Sequence, residues 1–408
     1  MRILLINHYA GSTEHGMEYR PYYLGRAWRQ AGHAVRIVAA SQSHLRTRQP
    51  EVRGAVTSET LDDVEYDWLR TPRYSGNGVA RVANMLAFVT RVARERRRYA
   101  AFRPDVVVAS STYPWDVYPA AAIARAAGAR LVFEVHDLWP MSPMVLGPMS
   151  RRHPFIVSLQ RAEDYACRHA DRVVSLLPHA DRHLVTRGMD PGKFVCIPNG
   201  IDVAEWDRAD RALPDELVGT IEAMRRSCRL IVGYAGGHGV SNALDPLLEA
   251  ARLLEPHRIG VLLVGAGPEK ARLMRAARAA DLRLVRFADP IAKAAVPALL
   301  RSLDILFHSL APSPLYAFGI SPNKLMDYMA AGKPVVQAVA AGNDVVAQSR
   351  CGVTVRPGDP RDIARAVRGL AALDPAERAA IGRRGREHVT AHFDYRVLAR
   401  RFVEAVSA

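Results

Sequence analysis

Short apolar runs bounded by polar loops recur along this chain, each followed by a stretch with helical spacing, and that alternation admits few folds. It begins with an apolar run at 2–7, passes a loop holding Gly11 and Gly16, takes helical spacing over 22–31 and returns to a strand at 34–39. Further strands are expected near 106–110, 131–135, 172–176 and 193–197, with helices such as 120–127 and 155–170 between them. The run Pro198-Asn199-Gly200-Ile201-Asp202 is turn chemistry, and the more polar 202–229 lacks a clear strand, so a domain connection is expected there. A second alternating series opens at 230–235 and continues at 261–264, 284–287, 305–308, 334–337 and 353–355. Each series predicts a parallel sheet covered by helices on both faces. At 408 residues the chain exceeds what one hydrophobic core usually supports. The expected fold class is therefore α/β, with two Rossmann-like, doubly wound domains at 1–200 and 201–392 and a last helix at 393–408 that packs back on the first.

Ligands of such sheets sit at the carboxyl ends of the strands, where the connections reverse direction, and two such sheets facing each other would form a cleft. The loops to watch are therefore 9–19, 136–140, 236–242, 265–270 and 311–321. The most telling stretch is SPLYAFGISPNKLMDYMAAGKPVV at 313–336, which joins a loop to a helix start and then a strand. Pro322 suits the first turn of a helix, which leaves the amides of Asn323, Lys324 and Leu325 facing whatever lies before them. Lys324 adds a full positive charge, Asp327 one turn on is an acceptor suited to ribose hydroxyls, and Gly332 ends the helix. A nucleotide diphosphate satisfies these features together; an ordinary helix cap packed on a sheet satisfies the spacing equally.

The formal net charge of +15, mostly from arginine, directs attention to phosphate or an anionic membrane surface. No zinc-finger, RNP-like or helix-turn-helix signature accompanies it, so nucleic acid is not the expected partner. Over 79–103, Val82, Met85, Leu86, Val89 and Val92 recur at helical spacing, while Arg81, Arg91, Arg94, Arg96, Arg97, Arg98 and Arg103 gather toward one end. Such a helix suits anionic lipid, with Arg94 and Arg96 to Arg98 as the contact; its alternative is a solvated helix with its stripe on the sheet. No apolar run is long enough to span a bilayer and the first one is too short for a signal peptide, so a cytoplasmic location is expected. Cys167, Cys196, Cys228 and Cys351 form no C-x-x-C pair and read as reduced thiols. His179 and His183 share a helical spacing but enclose Ala180 where a zinc protease motif has Glu, and no Asp-x-Asp triplet exists to hold a metal–diphosphate pair. No metal or cofactor is expected.

HDLWP at 136–140, PNGID at 198–202, GYAGG at 233–237, LLVGAGP at 262–268 and SPNKLMDYMAAGKPVV, in this order, resemble the family-4 glycosyltransferases of GT-B fold. The forms GMEYRPYYLGRAW, HDLWP and GISPNKLMDYMAAGKP resemble the bacterial branch that adds amino sugars, N-acetyl-L-fucosamine for example, to polyprenyl-diphosphate-linked intermediates of O-antigen, capsule or exopolysaccharide. The resemblance implies retaining, metal-independent transfer from a UDP-sugar to a lipid-linked saccharide, by an enzyme peripheral on the inner face of the cytoplasmic membrane. It places the donor against Gly16, Gly236, Gly237, His238 and Asn242, and against Gly319, Ile320, Ser321, Pro322, Asn323, Lys324, Leu325 and Asp327. The acceptor would meet Tyr19, Arg20 and Trp139, and His136 and Lys324 would be the catalytic pair. Two departures stand out. The family commonly has an Arg and a Lys after the strand that follows the linker, where this chain has Gly237, His238, Gly239 and Asn242, so that His238 or backbone amides must substitute. The first of two family glutamates falls on Gly319, so the amides of Ile320 and Ser321 would hold the sugar instead. No carboxylate stands out as a nucleophile, which leaves front-face and double-displacement paths open. A non-hydrolysing UDP-sugar 2-epimerase and a basic nucleic-acid-binding protein are the alternative functions.

Overall fold

The computed structural model describes residues 1–147 and 149–407. It divides into two units: one holds Met1–Asn199, Phe318–Ser321 and the chain from Tyr395 on, and the other holds Gly200–Ala317 and Pro322–Asp394. The first is called unit 1 and the second unit 2. The short segment Phe318–Ser321 thus falls with unit 1, although the sequence places it in the second half.

Unit 1 is built on β1 (Arg2–Ile6), β2 (Ala34–Ala40), β3 (Val56–Leu61), β4 (Val64–Leu69), β5 (Val106–Ala109), β6 (Arg130–Val135), β7 (Arg172–Ser175) and β8 (Phe194–Cys196). Their order across the sheet is β3-β4-β2-β1-β5-β6-β7-β8. All neighbours are parallel except β3 and β4. That edge hairpin is absent from the sequence reading because VTSETL alternates no apolar face and its turn is Asp62-Asp63, both in the left-handed region at φ 46° and 65°, instead of the usual Asn-Gly. The central strand β1 is apolar from Ile3 to Ile6 because both its faces are covered there. Leu4 and Ile6 enter one core and Ile3 and Leu5 the other.

The helix α1 (Arg20–Gln30) and the last helix, Tyr395–Ser407, cover one face together. Trp28 meets Phe402 edge to face with centroids 5.0 Å apart, and its indole N–H donates to the carbonyl of Ala399 at 3.0 Å. Tyr23 stacks on Tyr395 at 5.0 Å. On the opposite face, the expected basic helix forms as α2 (Val79–Arg94) and α3 (Arg96–Ala101), broken at Glu95. Its stripe is turned inward. Met85, Phe88, Val92 and Tyr99 are buried in the same core as Val107 and Leu131. Arg98 is also occupied, donating to Ser58 Oγ at 3.0 Å and pairing with Asp67 at 3.4 Å. Of the apolar residues proposed for lipid, Met85 and Val92 are core and Val82 and Val89 pack half-buried against it, while Leu86 stays 49% exposed; Arg94, Arg96, Arg97 and Arg103 stand exposed without side-chain partners among the described residues.

Unit 2 carries β9 (Leu230–Ala235), β10 (Ile259–Val264), β11 (Val285–Ala288), β12 (Ile305–Ser309), β13 (Val335–Ala338) and β14 (Gly352–Val355), in the order β11-β10-β9-β12-β13-β14 and parallel throughout. Alternation again sorts side chains, with Val261 and Leu263 in one core and Leu262 and Val264 in the other. The polar stretch 202–229 carries no strand, as expected, and begins just past the division of the units at Asn199; it is helical over Val203–Arg208 and Asp215–Ser227. Asp202 caps the first by accepting from the Glu205 amide at 2.7 Å, and Leu217, Ile221 and Met224 of the second are buried beside Ile231. Phe402→Ala removes the ring that closes the face of Trp28. It is expected to lower stability by about 3–5 kcal/mol, measured as the urea midpoint followed by tryptophan fluorescence.

Candidate active site

In unit 2 the strand order reverses between β9 and β12, and the polar ends of these strands gather there. The loops after β9 and β10 lie backbone on backbone. A Cβ at Gly265 would stand 1.9 Å from the Gly236 carbonyl, and one at Gly267 2.3 Å from that of His238, so only glycine allows the approach. The Gly236 amide donates to Val264 O at 3.0 Å and the His238 amide to Ala266 O at 2.8 Å. Gly236 therefore has no amide left for an anion, contrary to expectation, whereas the exposed Gly237 keeps its own.

Lys324 reaches this loop from the start of the helix Asn323–Ala330. Its Nζ donates to Asn242 Oδ1 at 2.5 Å and to the Tyr234 hydroxyl at 2.9 Å, and lies 4.8 Å from the Tyr234 ring centre. Tyr234 and the Asn242 amide both donate in turn to the Gly237 carbonyl, at 2.7 and 2.9 Å. No carboxylate pairs with the ammonium among the described residues, and burial pulls its pKa down to about 8. The cation missing from the loop at position 242 is thus delivered to it by a side chain from another element. Pro322 is the N-cap and not the first helical residue, and the Leu325 amide turns back to its carbonyl at 3.2 Å. The amides of Asn323 and Lys324 remain for a ligand; that of Leu325 does not.

His238 does not replace the lost cation. Its ring is fully buried with both nitrogens unpartnered, and burial, reinforced by Lys270 and Lys324, depresses its pKa to about 4, which leaves it neutral. His308 is also held neutral, by burial and the charge of Lys324, its Nδ1 facing Gln337 Oε1 at 3.2 Å. Asp327 faces Trp206 and Lys293; burial pushes its carboxyl up to about 6 against their pull.

In unit 1 the reversal falls between β1 and β5. Asn7, just past β1, donates through Nδ2 to Ser110 O at 2.6 Å and to Ser110 Oγ at 3.1 Å. The Ser110 hydroxyl donates to Glu134 Oε2 at 2.5 Å, and His136 Nε2 lies 3.2 Å from the same oxygen. Burial would lower the His136 pKa, but the bond to Glu134 and the charges of Glu134 and Glu18 outweigh it and raise it, with Arg20 opposing.

One acceptor assignment changes here. Arg20 is 1% exposed and cannot face an acceptor: Nε and Nη2 hold Glu134 Oε1 at 3.1 and 2.9 Å, while Nη1 and Nη2 hold the carbonyls of Pro198 and Ile197 at 2.6 and 2.8 Å. Gly16, at φ 98°, has Thr47 against it, where a Cβ would stand 2.9 Å from the Thr47 amide. The segment holding Gly319, Ile320 and Ser321 is tied down in unit 1. Ser321 Oγ and O accept from the Asn199 amide and side chain at 2.7 and 2.9 Å, and Phe318 O accepts from His179 at 3.0 Å. Tyr19 packs on the core edge near Tyr23, and Trp139 packs against Phe155 with Arg81 6.0 Å above its ring. Sequence reasoning missed Glu134, Ser110 and Asn7. The available signal was a carboxylate inside the apolar run LVFEV, which burial obliges to find a cation.

Comparison with known proteins fits this geometry. Residues 15–200 match the glycosyl transferase 4-like domain and residues 229–372 the glycosyl transferases group 1 domain. A D-inositol 3-phosphate glycosyltransferase of Geodermatophilus obscurus is 28% identical over 71% of this chain, which spans only 64% of that relative's length. The probable glycosyltransferase WbjE of Pseudomonas aeruginosa is 20% identical over 91% of this chain and 90% of its own. Among solved structures, Anabaena Alr3699/HepE in complex with UDP superposes with a TM-score of 0.67 at 16% identity, covering 100% of both chains. These findings define a two-domain protein of GT-B fold. The chain belongs to the GT4-type glycosyltransferases.

Arg20→Met leaves the Glu134 carboxylate buried without its main counter-charge. The variant is expected to lose about 3–5 kcal/mol in denaturant unfolding, a loss that shrinks as pH falls and Glu134 takes up a proton.

Proposed function

We propose that this chain transfers a glycosyl group from a nucleoside-diphosphate sugar, with Lys324 neutralising the diphosphate as it leaves. One observation carries this: an ammonium group buried at a helix start, held by a hydroxyl and an amide oxygen, with no carboxylate beside it among the described residues. A buried charge in that state is stabilised by an anionic ligand. The open amides of Asn323, Lys324 and Gly237 add donors to the same place. Fixed dipoles and one cation then take the role that a metal takes in other diphosphate sites, a stabilisation worth roughly 3–4 kcal/mol for each well-placed donor.

The finer assignment is a retaining transfer of an N-acetylated or 6-deoxy amino sugar from a UDP-sugar to a polyprenyl-diphosphate-linked acceptor in bacterial surface polysaccharide synthesis. Its support is the motif resemblance, the UDP held by HepE and the likeness to WbjE. Asp327 is assigned to the ribose, and His136 to the substrate from unit 1. No helix among the described residues is long and apolar enough to cross a membrane, so contact with the lipid-linked acceptor is assigned to the exposed Arg94, Arg96 and Arg97.

A screen of UDP-sugars against a polyprenyl-diphosphate saccharide, read by mass spectrometry, tests the assignment; product from no pair would reject it. Lys324→Ala is expected to lower kcat/KM by about 100-fold or more while the circular dichroism spectrum stays unchanged. Because the ammonium is present below pH 8 and lost above it, UDP affinity measured by calorimetry should be flat from pH 6.5 to 7.5. It should then weaken as pH rises past about 8, a trend absent from Lys324→Ala.

A further inference from the structure

The polar cluster of unit 1 is more ordered than substrate contact by His136 requires. Both oxygens of Glu134 are fully used, Oε1 by Arg20 and Oε2 by Ser110 and His136. Proton bookkeeping in this cluster is closed. The single hydrogen of the Ser110 hydroxyl goes to Glu134, and Asn7 Nδ2 donates to that hydroxyl's oxygen. His136 Nε2 therefore faces acceptors only, the Ser110 oxygen at 3.1 Å and the Glu134 carboxylate at 3.2 Å, and must carry a proton. Nδ1 has no partner among the described residues, and its state decides the chemistry. Protonated, it makes the ring a cation that donates to substrate; unprotonated, it makes the ring a base.

The charges around the ring settle the balance. Glu134 touches it directly, and Glu18 and Asp137 add negative potential. Asp116, buried on the segment after β5, faces the ring as well and becomes ionised only near pH 7. The one opposing cation is Arg20, whose guanidinium is on the far oxygen of Glu134 and also spent on the carbonyls of Ile197 and Pro198. The geometry points to Glu134 as a positioning residue that holds His136 as an imidazolium ion, so that unit 1 offers its substrate a hydrogen-bonding cation and no general base. The statement rests on the proposed contact of His136 with substrate. It carries a mechanistic consequence, since the acceptor hydroxyl must lose its proton to a group other than His136.

The test uses the full chain labelled with nitrogen-15 at histidine, the His136 signals being assigned by their loss in His136→Gln. Expected is a His136 titration above 6.5 with both ring nitrogens protonated at pH 6; a midpoint at or below 6.5 overturns the proposal. Glu134→Gln should move that midpoint down by about one pH unit or more, equivalent to a tenfold change in protonation. If this variant does not fold, Arg20→Gln with Glu134→Gln removes both buried charges together, and the same downward shift is expected; an unmoved midpoint in either overturns the role of Glu134. In turnover, kcat/KM should fall as pH rises through the His136 midpoint, and the fall should begin at lower pH in Glu134→Gln. A rate that rises through it identifies a base and overturns the proposal. A shifted titration with an unaltered rate profile upholds the Glu134–His136 coupling and instead overturns the contact of His136 with substrate.

Discussion

A parallel strand covered on both faces has nowhere to put a polar side chain except near its end, and this constraint organises both units. In unit 1 the strands β1, β5 and β6 are apolar until Asn7, Ser110 and Glu134, which meet where the strand order reverses. In unit 2 the corresponding ends carry Tyr234, which donates to the Gly237 carbonyl, the buried neutral His238, and His308 facing Gln337. Groups placed so deep must satisfy one another, because water cannot. Each network leaves some groups open: the ammonium of Lys324 without a carboxylate and both His238 nitrogens without partners in one, Nδ1 of His136 in the other.

Apart from β3 and β4, the strands of both sheets were legible in the sequence because burial on two faces writes itself as runs rich in Val, Ile and Leu. The anion site proposed here was readable for the opposite reason, since Pro322, Asn323 and Lys324 lie within one turn of helix and need no distant partner to be recognised. What escaped notice depends on long-range pairing. Arg20 and Glu134 are 114 residues apart, and only their juxtaposition shows that Arg20 is a structural counter-charge and not an acceptor contact. His238 looked like a substitute cation from its place in the loop, but the depth of its burial, which spacing does not encode, makes it neutral. The edge hairpin escaped because its outer strand faces solvent on one side and carries Thr, Ser and Glu.

The arginine excess, which suggested a membrane helix, resolves into different uses. Some arginines neutralise carboxylates, as Arg272 does with Asp245 and Glu269 and Arg356 with Asp359 and Asp362. Others cap carbonyls in the interior, as Arg20 does. Those of α3 that remain exposed are a charge pattern without an apolar anchor, which makes any lipid contact there electrostatic and therefore sensitive to salt.

The helix Tyr395–Ser407 has a consequence for how the chain comes into being. Trp28 and its partner carbonyl at Ala399 are separated by 371 residues, with all of unit 2 between them. A nascent chain therefore carries the aromatic flank of α1 uncovered until Tyr395–Ser407 has been made, and unit 1 completes its burial after unit 2 although it is begun first. Early termination anywhere in the second half leaves that flank open, which makes truncated products sticky and gives the cell's quality-control machinery a simple mark of incompleteness.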